Sequence, residues 1–303
     1  MTDLVVEINQ LSRSFGKTKA LDDINYRASR GKVYGLVGAN GAGKTTLIKH
    51  LLGLLRAQSG TVKIFGQDPV KSPEQVLKRI GYLSEERDIP DWMNIGELMR
   101  YTSAFHKGWD DNYATELLDT FTLDKTKKIK TLSRGMRAQV ALITAVAHKP
   151  DLLILDEPSS GLDAVVRHDI LNAVVRTISE EGRTVIFSSH LLEEVERLSD
   201  HVTMIHHGKI TLDSSMEEIN NSYHYSSIRF TDSLEVKPVL NTALSISGSG
   251  RSWSVIHEGA AERLADSVSQ LGGEIVESRN ATLEEVFVSQ VGRSISHSTT
   301  ETI

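Results

Sequence analysis

The sequence predicts an α/β protein with a mostly parallel main sheet and a second, smaller α/β block behind it. Apolar strands alternate with helical patterns from residue 1 to about 218, the order expected of a parallel sheet covered on both faces. KVYGLVG at 32–38 and DLLILDE at 151–157 are continuous apolar runs, as strands buried on both faces should be. The composition, 39 % hydrophobic and 24 % charged, is that of an ordinary globular chain rather than a disordered or fibrous one.

The elements follow in order. LVVEINQ at 4–10 alternates apolar and polar residues and predicts a half-buried strand. After the strand at 32–38, residues 44–55 read as a helix, TVKIFG at 61–66 and RIGYL at 79–83 as strands, and 94–105 and 110–121 as helices. A helix at 134–148 precedes the strand at 151–157, and a further helix covers 164–180. TVIFSS at 184–189 is a strand, 191–198 a helix, and 201–212 a hairpin turning near Gly208. The polar stretch at 213–227 predicts a linker. Beyond it, RSWSVIHEG, a helix near 260–271, GGEIVESR and a helix near 282–290 form a small α/β unit without a chemical motif. The expected domains are 1–218, with a helical subdomain at about 86–148, then 219–292, then a Ser/Thr-rich tail at 293–303 expected to be disordered.

A chain of 303 residues accommodates one large or two ordinary domains. Its formal net charge of −6 argues against a nucleic-acid binder, so no nucleic-acid partner is expected. The absence of cysteine removes disulfides, thiolate metal sites and cysteine nucleophiles together. Asp3 and Glu7 stand where a signal peptide would carry positive charge and then an apolar core, and no apolar run approaches a membrane span. The expected location is therefore cytoplasmic.

Residues 38–45 read G-A-N-G-A-G-K-T between a strand and a helix, the G-x-x-x-x-G-K-[ST] phosphate-loop pattern in its required context. Gly38, Asn40, Gly41, Ala42 and Gly43 let the backbone wrap and point N–H groups at phosphate. Lys44 supplies a charge for the β- and γ-phosphates of ATP, the Thr45 hydroxyl suits Mg²⁺, and Thr46 continues the helix whose N-terminal dipole favours an anion. About 110 residues on, LLILDE places Asp156 at the C-terminal end of a strand, where parallel sheets bind ligands and where it would hold Mg²⁺. Glu157 next to it suits a general base that orients or deprotonates the attacking water.

Three further segments extend the pattern: L-S-R-G-M at 132–136, S-S-G-L-D at 159–163, and His190 after TVIFSS. With the phosphate loop and LLILDE, in this order, residues 1 to about 218 resemble the nucleotide-binding subunit of ATP-binding-cassette (ABC) transporters. The resemblance implies a P-loop NTPase core with an N-terminal antiparallel β subdomain and a helical subdomain. It implies that Phe15 stacks on adenine, although a Phe there also suits a core. It implies that Ser133 and Gly135 contact the γ-phosphate bound to an opposite subunit, that Asp163 crosses the dimer interface, and that His190 reaches the γ-phosphate. Two such chains, identical or not, would bury two Mg-ATP between them and drive a separate transmembrane permease. The chain would then sit peripherally on the inner face of the membrane through that permease.

Two positions depart from the family pattern. Arg134 and Met136 replace the Gly and Gln of the usual L-S-G-G-Q; Arg134 either adds charge near nucleotide or is solvated. Glu85, in GYLSE, stands where the family usually places a Mg²⁺-contacting Gln, and its oxygens still suit a hard cation. Both departures, with ATLEEVF at 281–287, resemble the antibiotic, lantibiotic and small-molecule exporter subgroup. Trp92, Met93, Tyr101, Phe105 and Trp109 are candidates for the groove that receives the permease, or for the subdomain's own core. The alternative is a non-transport cassette ATPase acting on ribosomes, DNA or another protein. A phosphate-loop kinase or GTPase leaves L-S-R-G-M, S-G-L-D and His190 unaccounted for, and no N-K-x-D guanine motif is present.

Overall fold

The computed structural model describes residues 4–298. They divide into two compact units: the chain up to Leu191 with Leu198–Leu212, and Leu192–Arg197 with the chain from Asp213 onward.

The first unit opens with β1 (Leu4–Phe15) and β2 (Thr18–Ser29), which pair antiparallel. Val5, Val6, Ile8 and Leu11 of β1 meet Leu21, Ile24, Tyr26 and Ala28 of β2 in one buried cluster. β3 (Val33–Val37), buried at every residue, leads into α1 (Lys44–Leu51). β4 (Ser59–Ile64) then joins β1 to complete a three-stranded antiparallel sheet. α2 (Pro73–Leu77), β5 (Ile80–Leu83), α3 (Ile95–Ser103), α4 (Asp111–Thr120) and α5 (Arg134–Val146) follow. Asn94 and Glu97 form a capping box on α3, and the Asp110 and Ser133 side chains cap α4 and α5.

β6 (Leu152–Asp156), α6 (Ala164–Glu181), β7 (Thr184–Ser189), β8 (His201–His206) and β9 (Lys209–Ser215) complete the main layer, while α7 (Leu192–Leu198), between β7 and β8, falls almost wholly in the second unit. The six-stranded sheet has the order β5-β6-β7-β3-β8-β9. Its first five strands pair in parallel, and β9 is the hairpin partner of β8. This is the mostly parallel core, with an N-terminal antiparallel sheet, that the sequence predicts. Because β6, β7 and β3 are adjacent, their C-terminal ends bring Asp156, His190 and Gly38 to one edge.

In the second unit, α8 (Met216–Ser222), β10 (Tyr223–Leu234), β11 (Ala243–Glu258), α9 (Ala261–Gln270), β12 (Gly273–Asn280) and α10 (Leu283–Ser298) build an antiparallel sheet of order β11-β10-β12. Ile228, Phe230, Leu240, Trp253, Val255, Leu264 and Val268 form its core.

The expected linker at 213–227 is ordered structure instead. Ser215 and Glu218 make a capping box that starts α8, and β10 begins at Tyr223. The expected disordered tail is helical at its start, because α10 runs on to Ser298; its remainder lies outside the described residues. Among the described residues no helix is long and apolar enough to cross a membrane.

Candidate nucleotide site

The loop between β3 and α1 is built on close backbone approach. A Cβ at Gly38 would run into the Ile205 carbonyl. Gly43 sits at φ 121°, where a Cβ would lie 2.7 Å from the Ala20 carbonyl oxygen. Gly43 is also the N-cap of α1 and offers no side-chain cap, so donors of the first turn stay open to a ligand. Lys44 Nζ donates to the Gly38 carbonyl at 2.6 Å and lies 3.2 Å from Glu157 Oε1.

β6 and β7 supply the acidic side. Asp156, 1 % exposed, accepts from Ser188 Oγ at 2.7 Å and from Thr45 Oγ1 at 3.4 Å. Glu157, 5 % exposed, has a left-handed backbone at φ 49° and donates its N–H to Ser188 Oγ at 2.9 Å. Its Oε2 lies 2.6 Å from His190 Nδ1 and accepts from the His190 N–H at 3.3 Å. One carboxylate thus bridges the phosphate-loop lysine and the histidine after β7. A cavity of about 280 Å³ opens over Asn40, Gly41, Gly43, Lys44, Thr45 and Thr46, with Glu85 and Glu157 on its wall. A second, of about 470 Å³, lies between Thr45, Glu85 and Asp156 and reaches Tyr82. Burial, reinforced by the Asp156 charge, pushes the Tyr82 hydroxyl up to about 12.

The donor set suits a magnesium–phosphate complex. Two buried carboxylates face one buried ammonium, leaving surplus negative charge for a divalent cation to offset. No group of three or more His, Cys, Asp or Glu side chains forms a self-sufficient metal site among the described residues. Mg²⁺ is commonly held by one or two protein groups together with substrate phosphates, and the Thr45 hydroxyl beside the Asp156 carboxylate could supply such a pair.

The remaining candidates gather elsewhere. Ser133 caps α5 by accepting from the Met136 N–H at 3.2 Å, and Asp163 caps α6 by accepting from Val165 and Val166 at 3.1 and 3.0 Å. Gly135 packs so close to Val166 that a Cβ would fall 2.9 Å from its Cγ2, and the Arg134 guanidinium lies against Gly161. Ser133 and Asp163 are exposed at the starts of α5 and α6, Gly135 is buried between the two helices, and all three lie outside the lining of the phosphate-loop cavity. Phe15 ends β1 with its ring 47 % exposed and the Arg13 guanidinium 4.8 Å from its centroid, a flat platform open on one side.

Among the groove candidates, Trp92, Tyr101 and Phe105 are exposed, with the last two rings in edge contact. Trp109 is half-buried, and its indole donates to Asp111. Met93 is only 5 % exposed and belongs to the core. Two site residues escaped the sequence reading. Ser188 orients both acidic residues; the only hint is a strand that ends in Ser-Ser-His. Arg87, two residues after Glu85, is buried and bonds the Pro158 and Ser160 carbonyls just after Glu157, a contact no local pattern marks.

Residues 21–160 match the ABC transporter family. Over 288 residues the chain is 27 % identical to the ABC transporter ATP-binding protein YtrB of Bacillus subtilis, covering 95 % of this chain and 98 % of that one. It is 35 % identical over 208 residues to the bacitracin transport ATP-binding protein BcrA of Bacillus licheniformis, covering 68 % of each. A solved ATP-binding subunit of an ABC transporter superposes with a TM-score of 0.66 at 26 % identity, covering 71 % of this chain and 92 % of that one. A phosphate loop, an acidic strand end and a histidine on three adjacent parallel strands thus stand in a chain that belongs to the ATP-binding proteins of ABC transporters.

Proposed function

We propose that the chain hydrolyses ATP to ADP and phosphate, and that it does so as one half of a dimer that drives a membrane exporter. The observation that carries this reading is the junction at Glu157. Its carboxylate sits between Lys44 and His190 at the edge of the phosphate-loop cavity, where the γ-phosphate and the attacking water would meet. Gly38, Asn40, Gly41, Ala42, Gly43, Lys44, Thr45 and Thr46 bind the phosphates, and Phe15 carries the adenine. Thr45 and Asp156, with Glu85 alongside, would hold Mg²⁺, which neutralises charge on the phosphates when bound. Glu157 takes the proton of the attacking water. His190 holds Glu157 and positions the γ-phosphate.

Lys44 cannot serve both partners fully. Incoming phosphate competes with Glu157 for it, so nucleotide binding frees the Glu157 carboxylate to act as a base. Ser133, Gly135 and Asp163 lie outside the cavity wall, with Ser133 and Asp163 exposed. That supports their serving a second chain's nucleotide, with the N-terminus of α5 aimed across the interface. The bacitracin transport protein among the relatives supports export. Exposed Trp92, Tyr101 and Phe105 support a permease contact on the helical subdomain, which would place the chain on the cytoplasmic face of the membrane.

The test is to isolate the tagged chain from detergent-solubilised membranes and assay Mg-ATP hydrolysis. A co-purifying polytopic membrane protein and hydrolysis are expected; ribosomes or soluble partners alone would overturn the transport reading. Trp92→Ala should reduce recovery of the membrane protein at least fivefold and leave hydrolysis within twofold.

A further inference from the structure

We infer that Arg87 is a positioning residue for Glu157: its buried guanidinium clamps the loop that follows Glu157 and ties it to the turn that carries Glu85. The inference rests on the role proposed for Glu157 and adds a residue that no sequence motif marks.

Arg87 is 3 % exposed. Its Nη2 donates to the Ser160 carbonyl at 2.8 Å and to the Pro158 carbonyl at 3.3 Å. Those two carbonyls lie within the successive turns closed by Ser160 N–H to the Glu157 carbonyl at 3.1 Å and Leu162 N–H to the Ser159 carbonyl at 3.2 Å. Glu157 itself sits at φ 49°, a backbone state that a non-glycine residue keeps only where its surroundings fix it. Ser188 holds the Glu157 N–H directly, and Arg87 fixes the residues that follow it, through a cation whose bonds to neutral carbonyls are stronger than neutral ones.

The other end of the clamp faces the nucleotide. Arg87 N–H bonds the Ser84 carbonyl at 3.2 Å and Ser84 Oγ at 3.1 Å, closing the turn 84–87. Glu85, inside that turn, lines the cavity shared by Lys44 and Glu157. A single turn therefore touches the phosphate side with one charged residue and the back of the Glu157 loop with another. A guanidinium buried this far is costly, and its Nε has no hydrogen-bond partner, so the two carbonyls bonded to Nη2 carry the offset. Simple packing would be served better by an apolar side chain. A cation held by two carbonyls of the catalytic loop fits a part that must hold Glu157 in register with Glu85.

The experiment compares the full chain with Arg87→Met and Arg87→Lys, each with and without Glu157→Gln. Amide exchange is measured first, without nucleotide. In Arg87→Met the segment 157–163 should exchange at least tenfold faster while α1 keeps its protection; unchanged exchange at 157–163 overturns the clamp, whether or not the protein hydrolyses ATP. Hydrolysis is measured next. Arg87→Met should lower kcat at least tenfold with ATP affinity within threefold, and Arg87→Lys, which keeps several donors on one nitrogen, should recover part of that loss. In the Glu157→Gln background Arg87→Met should cost less than threefold. An equal loss in both backgrounds would mean that Arg87 does not act through Glu157. A wild-type chain with no hydrolysis would remove the proposed role of Glu157 and leave the exchange result to decide the clamp.

Discussion

Both units bury polar side chains that bond one another, but they do so to different ends. In the second unit Ser226 Oγ meets His257 Nε2 at 2.9 Å and Ser278 Oγ at 3.1 Å, with Ser226 and His257 fully buried. That cluster joins β10 to both neighbouring strands, from the buried Ser226 and His257 out to an exposed Ser278, and its bonds hold strand to strand. In the first unit Glu157 is ion-paired with Lys44 and joined to His190, yet Lys44 and Glu157 stand on the wall of an open cavity. A serine beside a histidine is therefore no sign of chemistry by itself; access is what separates a fastener from a site. The cavity also accounts for the charge. Only where a ligand can enter does a surplus of buried carboxylate find its counter-charge.

The sharpest way to break this contrast is to damage each cluster in turn. Glu157→Gln removes the base and should lower the hydrolysis rate by about 10²–10⁴-fold. It should also tighten ATP binding several-fold, because Lys44 loses its anionic competitor. His257→Leu should leave hydrolysis within twofold and lower stability by about 1–3 kcal/mol, the cost of stranding buried hydroxyls. Steady-state kinetics and thermal melting on both variants decide it. If His257→Leu abolished hydrolysis while the protein stayed folded, the second cluster would not be a fastener.

A third polar pair, a buried histidine on a half-buried one, lies between these extremes. His106 and His148 stack with ring centroids 3.9 Å apart, and His148 Nε2 lies 3.1 Å from the Ile80 carbonyl, which makes that nitrogen the donor. Burial, with the neighbouring His106 adding to it, lowers the His148 pKa to about 4 from 6.5. The unfolded chain therefore binds the extra proton between those values. Stability from this residue is complete above pH 6.5 and is lost as pH falls toward 4. At pH 5 the loss relative to neutral pH is roughly 2 kcal/mol. Burial lowers His50, His106 and His257 as well, so their slopes have the same sign. Denaturant melts of wild type and His148→Gln at pH 7 and pH 5 check it. The variant should lose most of the 2 kcal/mol difference, and an unchanged difference would remove His148 as its source.

What the sequence reveals follows the same divide between local and long-range causes. The strands VYGLV and LLILD are apolar at every position, so their burial in a parallel sheet is legible without a partner. The phosphate loop is legible because its glycines answer to local backbone demands. β2 is not, because the Asp22-Asp23 pair and the register shifts against β1 break the alternation that would mark it. The helix α8 hides in a polar stretch because short-range bonds at Ser214, Ser215 and Glu218, rather than an apolar stripe, start it. Met93 reads as a groove residue from its neighbour Trp92, but its backbone carbonyl takes the Ile129 N–H and its side chain turns inward. Ser188 and Arg87 act through residues 31 and 71–73 positions away, which no local pattern encodes.

The smallest effect sits at the departure from the family pattern that faces the cavity. Glu85 brings a third carboxylate to a site where Asp156 and Glu157 already outnumber Lys44. An extra anion there attracts a divalent cation and repels the triphosphate, so its two effects on the Mg-ATP complex largely offset. They separate when free Mg²⁺ is varied. Glu85→Gln keeps the size of the side chain and removes the charge. It should raise the Mg²⁺ concentration for half-maximal hydrolysis about threefold, while the rate at saturating Mg²⁺ changes by less than that. Hydrolysis assayed across free Mg²⁺ at fixed Mg-ATP reads both numbers. A lowered Mg²⁺ requirement would mean that Glu85 acts chiefly by repelling phosphate. The exposed corner at Ser133, where no buried carboxylate competes, should show no such dependence when Arg134 is changed to Gly.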